Sequence, residues 1–146
     1  MGRTKLVGAF VFGMAALCGS AAADSVEDHL GMCGLAEKEK LCNANRAQFE
    51  REFPDAYAGD YQAQRNVAFC LLSGCDGAVR VNRTLGCAWR RVILLSGSPK
   101  VDQTDISNYE WLCTDKLSRV ERATSEAQAA AIFEAIYKRP IPPAGI

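Results

Sequence analysis

Apolar residues in this chain recur at intervals of three and four and do not alternate with polar ones over any useful length, which predicts helices and argues against strands. Residues 35–53 read as a polar first helix ended by Pro54. Residues 55–73 read as a second, with Tyr57, Tyr61, Gln64, Ala68 and Leu71 down one face and Gly74 as a natural stop. A loop follows over 74–82, and Asn82 is placed to cap a third helix. That helix carries Leu85, Ala88, Trp89, Val92 and Leu95 at helical spacing and ends at Gly97. After the Ser98-Pro99 break, residues 105–117 form a fourth helix with Ile106, Tyr109, Leu112 and Cys113 on its apolar side. Ser118 and Glu121 make a capping box for a fifth, whose stripe is Ala129, Ile132, Phe133 and Ile136. Residues 139–146 are a Pro-rich tail, and residues 24–33 read as a mobile entry segment. The expected fold class is all-α, built of antiparallel helical hairpins.

The start of the chain follows another pattern. Arg3 and Lys5 precede an apolar run over 6–17, and Ala21, Ala22 and Ala23 follow it, the layout of a secretory signal peptide cleaved before Asp24. The run is shorter than the roughly 20 apolar residues a membrane span needs. Leu17 before Cys18 departs from a lipoprotein site, which wants a small residue there. Export places the mature chain in the periplasm or outside the cell, without membrane insertion. Of the chain's 146 residues, removal of 23 leaves 123, enough for one helical domain over 24–138. With Arg3 and Lys5 gone, 15 Lys and Arg face 17 Asp and Glu, a charge of −2 that offers no general reason to bind nucleic acid.

Six cysteines remain: Cys33, Cys42, Cys70, Cys75, Cys87 and Cys113. An even number in an exported chain of this size predicts disulfides. Zinc is the competing use, but no Cys-x-x-Cys pair exists and His29 is the only histidine, so neither a metal site nor a cofactor is expected.

Within residues 59–97, Ala63 and Gln64 form a pair, Gly74, Gly77 and Val79 mark a turn, Gly86 is a small residue inside the third helix, and Trp89 and Gly97 follow it. This set resembles the Sel-one-like repeat, a relative of the tetratricopeptide repeat made of two antiparallel helices. Where the family has a Leu-Gly pair, this chain has Val67 and Ala68. Leu71 replaces an aromatic, Asn82 replaces an acid, and the turn carries extra residues. The resemblance implies a helical hairpin that presents a surface to other proteins. One copy is clear; residues 98–138 lack the Gly-x-Gly-Val turn and the closing glycine, so degenerate helices and disulfides are expected to support it. Independently of family, Ala68 and Gly86 are small enough to let two helix backbones approach.

The hairpin constrains the cysteines, which in principle allow 15 pairings. Cys70 and Cys87 lie equally far from the turn, a register that suggests a bridge across the hairpin. Cys70, however, is two residues beyond Ala68 and so turned roughly 200° from the face that meets the partner helix. Disulfides need converging Cβ vectors, which favours Cys70–Cys75 at the helix end, Cys87–Cys113 to the next helix, and Cys33–Cys42 as a local pair.

No nucleophile motif or phosphate-binding loop is present. His29, with Glu27 and Asp28 beside it, falls in the entry segment, where a solvated histidine is expected. Arg80, Arg83, Arg90 and Arg91 form the one local basic group, and Arg83, Arg90 and Arg91 are the exposed binding candidates, because Leu85, Trp89 and Val92 take the inner stripe of their helix. Two functions remain in view: a non-catalytic module for an unidentified protein partner, or a small secreted hydrolase or enzyme inhibitor on a disulfide scaffold. A pocket with convergent acids would mark an enzyme; a shallow groove lined by aromatics and arginines would mark a binding module.

Overall fold

The computed structural model describes residues 25–143; the leader read over 1–23 and the end of the tail lie outside them. Five α-helices form the body: α1 (Glu39–Tyr57), α2 (Tyr61–Ser73), α3 (Arg83–Leu95), α4 (Gln103–Tyr109) and α5 (Arg119–Tyr137). Short 3₁₀ turns occupy Val26–His29, Cys33–Leu35 and Cys75–Gly77, and a π-helical turn, Glu110–Thr114, continues α4. Among the described residues there is no strand, only an isolated bridge between Leu30 and Val79.

Side-chain caps place most helix starts. The Asp60 carboxylate accepts from the Ala63 N–H at 2.8 Å to open α2, and the Asn82 amide oxygen accepts from the Leu85 N–H at 3.1 Å to open α3. Reciprocal boxes open α4 through Asp102 and Asp105, and α5 through Ser118 and Glu121. The hydrogen bonds from Ser118 hold the Glu121 carboxyl below its ordinary value. Gly74, at φ +81°, takes the left-handed conformation that ends α2.

Three boundaries differ from the sequence pattern. Pro54 does not stop α1, because it falls in the last turn. There the lost N–H removes a single ladder bond, while the buried Phe53 and Ala56 keep the turn packed. α2 begins at Tyr61, since Gly59 at φ +93° reverses the chain before the Asp60 cap. The fourth helix starts at Gln103, under its Asp102 cap, and widens into the π turn at Glu110.

The entry segment is a packed part of the body. The Gly31 N–H donates to Ala78 O and the Arg80 N–H to His29 O, each at 2.8 Å. A Cβ at Gly31 would lie 2.0 Å from Gly77 O, so only glycine permits this approach. His29 is 8% exposed and packs against Phe53 at 5.1 Å between ring centroids, which corrects the expectation of a mobile, solvated histidine.

Successive helices reverse direction. Gln64 on α2 reaches Ala56 O near the end of α1, while Asn45 near the start of α1 reaches Cys75 O beyond the end of α2. Between α2 and α3, the Asn82 N–H donates to Leu71 O, and Gly86 sits against Ala68 and Leu72. α5 runs parallel to α3: Glu121 feels the charge of Arg83 at one end, and Arg139 bonds Ser96 O at the other. α3 is thereby the central helix, packed by α2, α4 and α5. The main core joins Phe49, Phe53, Val67, Leu71, Trp89, Ile93, Ile132 and Phe133.

Three disulfides link the described cysteines as Cys33–Cys42, Cys70–Cys75 and Cys87–Cys113. These are the pairings that the face argument favours over a Cys70–Cys87 bridge, and they fit an oxidising compartment. No helix among the described residues is long and apolar enough to cross a membrane.

Candidate functional site

The three candidate arginines do not share a surface. Arg83, in the first turn of α3, is exposed, and Arg91 is half-buried. Arg90 is only 4% exposed, contrary to its expected place outside. The reason is the central position of α3. An inner stripe of Leu85, Trp89 and Val92 suits a helix covered on one side, whereas α3 also buries Gly86, Cys87, Ala88, Arg90 and Ile93.

Arg90 belongs to a buried polar cluster. Asp105 of α4 is 1% exposed; its Oδ2 accepts from the Tyr61 hydroxyl at 2.5 Å and from the Asp102 backbone N–H at 3.2 Å, and its Oδ1 forms an ion pair with the Arg65 Nε at 3.1 Å. Burial drives the Arg90 pKa down, and the Asp105 carboxylate opposes that shift. Burial, then the bond to Asp105, raises the Tyr61 hydroxyl above its ordinary value. The Arg90 Nε meets no hydrogen-bond acceptor among the described residues. Two guanidinium groups thus face one carboxylate, which ties α2 and α3 to α4. The Tyr61 bond and the Arg65 ion pair hold the cluster inside the fold, and Asp105 is closed to solvent.

The exposed chemistry lies one turn further along the chain. Trp111, in the π-helical turn, is 75% exposed. The signal for it was in the sequence, two residues before Cys113: a side chain two positions from a buried one is turned roughly 200° away and faces outward. Cys113 is held by the disulfide to Cys87 of α3, so the turn that carries Trp111 is anchored to the central helix. The Lys116 ammonium lies over the indole, 5.8 Å from its centroid.

Two depressions flank the indole. One, of about 130 Å³, is lined by Leu72, Arg83, Trp111, Leu112 and Lys116. The other is broader, about 600 Å³, and is lined by Ser107, Asn108, Glu110 and Trp111. Leu72 reaches the first because α3 has no side chain at Gly86; a Cβ there would come within 2.6 Å of Leu72 Cγ. Arg83 is the one sequence-derived binding candidate that the fold brings to this surface, and Arg90 and Arg91 line neither depression.

A separate cleft of about 320 Å³ collects Asp28, His29, Arg80, Asn82, Arg83, Thr84 and Glu121. Its two carboxylates stand with two arginines. The Arg80 guanidinium is already committed to Asp28 O, so part of the cleft's polarity closes the entry segment onto the body. No group of three metal-capable side chains occurs among the described residues. The chain matches no family profile, no curated protein and no solved structure.

Proposed function

We propose that this chain is an exported, non-catalytic protein-interaction module built on a Sel-one-like helical hairpin, acting in the periplasm or outside the cell. The observation that carries this reading is Trp111. A tryptophan 75% exposed on a disulfide-anchored turn contributes little to the core, and Trp is among the residues that most often dominate binding energy at interfaces. π-helical turns are frequent at functional sites. The surface beside it is a shallow groove lined by an aromatic and an arginine, the arrangement that separates a binding module from a hydrolase.

The arrangement of helices supports the repeat component. α2 and α3 form the antiparallel pair at residues 61–95, and α5 packs along α3 and parallel to it, the direction that a second member of a following repeat would take; α4 packs on α3 rather than pairing with α5. The buried Ala68, Leu71, Gly86 and Trp89 sit at the positions that carry the resemblance.

The test is site-specific photo-cross-linking in cells that export the full chain. A photoreactive residue at Asn108 is expected to give a discrete heavier adduct in the envelope fraction, on a chain whose N-terminus is Asp24. Trp111→Ala should remove that adduct, and the same probe at the exposed Glu126 of α5 should give none. An adduct indifferent to Trp111→Ala, or none at all, overturns the reading.

A further inference from the structure

We propose that the notch between Trp111 and α3 takes an acidic, aliphatic peptide segment of a partner protein, seating one branched side chain in the notch and placing carboxylates against Arg83 and Lys116. This deepens the interaction-module reading and rests on it.

Shape and chemistry both point to that occupant. Leu72, Leu112 and Trp111 provide the apolar lining, and Lys116 lies over the Trp111 ring. The depression, about 130 Å³ and open on one side, has room for a single medium-sized apolar side chain. Leu, Ile or Val is of that class; an aromatic side chain with a polar tip has no neutral polar partner among the side chains that line the notch. The rim carries two cations, Arg83 and Lys116, and no carboxylate. Arg83 also borders the neighbouring cleft, where its charge helps hold the Glu121 carboxyl low. Among the described residues, however, no salt bridge joins Arg83 or Lys116 to an acid, and Lys116 lies over the indole. The notch is thus apolar at its floor and positive at its edge, the complement of an aliphatic side chain flanked by carboxylates. The depression beyond Trp111 has the opposite character, with Glu110, Ser107 and Asn108, so a bound segment has its acidic part fixed to the Arg83 side.

The walls are also preorganised. The apolar walls come from α2 and the π turn and the Arg83 rim from α3, and the Cys87–Cys113 bond fixes the π turn to α3. Gly86 lets Leu72 lie against α3 without a neighbouring Cβ. A preformed site loses less ordering entropy on binding, which allows a single side chain and its flanking charges to bind measurably.

The proposal is tested on the oxidised mature chain with a blocked pentapeptide, Gly-Asp-Leu-Glu-Gly, followed by two-dimensional NMR. The peptide is expected to shift the Trp111 indole N–H and the Leu72 and Leu112 methyls while the buried Trp89 indole stays in place. The Asn/Gln version of the peptide should bind roughly fivefold more weakly, and Arg83→Ala or Lys116→Ala should weaken binding roughly threefold, the size expected of exposed charge pairs. Added salt should weaken the acidic peptide and not the neutral one. Equal binding of the neutral peptide, or shifts elsewhere on the surface, overturns the proposal. Shifts of these signals by phosphatidylglycerol vesicles when the peptide gives none would place a membrane there and overturn it as well. A silent peptide alongside a Trp111-dependent cross-linked adduct defeats this inference alone; a bound peptide without any adduct defeats the interaction-module reading and leaves the chemistry of the notch standing.

Discussion

Arg90 and Trp111 exchanged the roles that their residue types suggest, and the exchange shows what decides burial. A guanidinium is tolerated inside because Asp105 lies opposite it, yet Arg65 and Tyr61 already serve that carboxylate. The Arg90 Nε has no acceptor among the described residues, and burial opposes its charge. The two members of the cluster therefore differ in value. Asp105→Ala leaves two cations against α4 without a counter-charge and is expected to destabilise by about 3 kcal/mol or more, since breaking a buried pair strands its partners. Arg90→Met keeps the length of the side chain and removes an unmatched charge, so it should be close to neutral or stabilising. Urea denaturation of both variants checks this. An Arg90→Met cost equal to that of Asp105→Ala would mean that the guanidinium makes a bond essential to the fold.

At the level of elements, the α2–α3 contact depends on a single missing side chain. Gly86 is inside a helix, where alanine is ordinarily favoured by about 1 kcal/mol. Its virtual Cβ, however, meets Leu72 Cγ at 2.6 Å and Ala68 O at 3.3 Å. Gly86→Ala must push Leu72 aside, and the overpacking is expected to outweigh the helix preference, with a net loss of about 1 kcal/mol. The effect should depend on Leu72. In a Leu72→Ala background the principal obstacle is gone, and Gly86→Ala should become neutral or stabilising, a coupling that a double-mutant cycle measures directly. Additive losses in the cycle would show that the backbone of α2, and not Leu72, limits the approach.

For the molecule as a whole, the disulfides do unequal work. Cys87–Cys113 closes 26 residues and joins the central helix to the π turn, whereas Cys70–Cys75 closes five at the end of one helix. On the loop-entropy account the first stabilises by roughly 3.5 kcal/mol and the second by roughly 2 kcal/mol. Replacing Cys87 and Cys113 together by serine should lower the melting temperature more than replacing Cys70 and Cys75. The first pair should also alter the environment of Trp111, visible in its fluorescence, because the turn that carries it loses its anchor. The unreduced, denatured mature chain should show no free thiol. A larger loss of stability from the short bridge would mean that native contacts around Cys75, and not loop closure, set the order.

What the sequence determined by itself is local. The all-helical pattern, the Asn82 and Ser118 caps, the stop at Gly74, the small contact at Ala68 and Gly86, and the inward Trp89 all follow from residues within a turn or two of one another. The disulfide set was legible for the same reason, since the angle of Cys70 around its own helix excludes the cross-hairpin bond. Asp60 and Asp102 are equally local signals as caps, but the sequence pattern hides them behind the helix-breaking propensity of Pro54 and the apolar stripe that begins only at Ile106. Only the tertiary structure decided which faces were covered. Whether Arg90 lies inside depends on where α4 sets Asp105, and the packing of His29 depends on the entry segment meeting the 74–80 loop. The notch at Trp111 needs Leu72, Arg83 and Leu112 from three separate elements. Periodicity reports that a helix has a buried face; how wide that face is depends on the number of neighbours, and α3 has three.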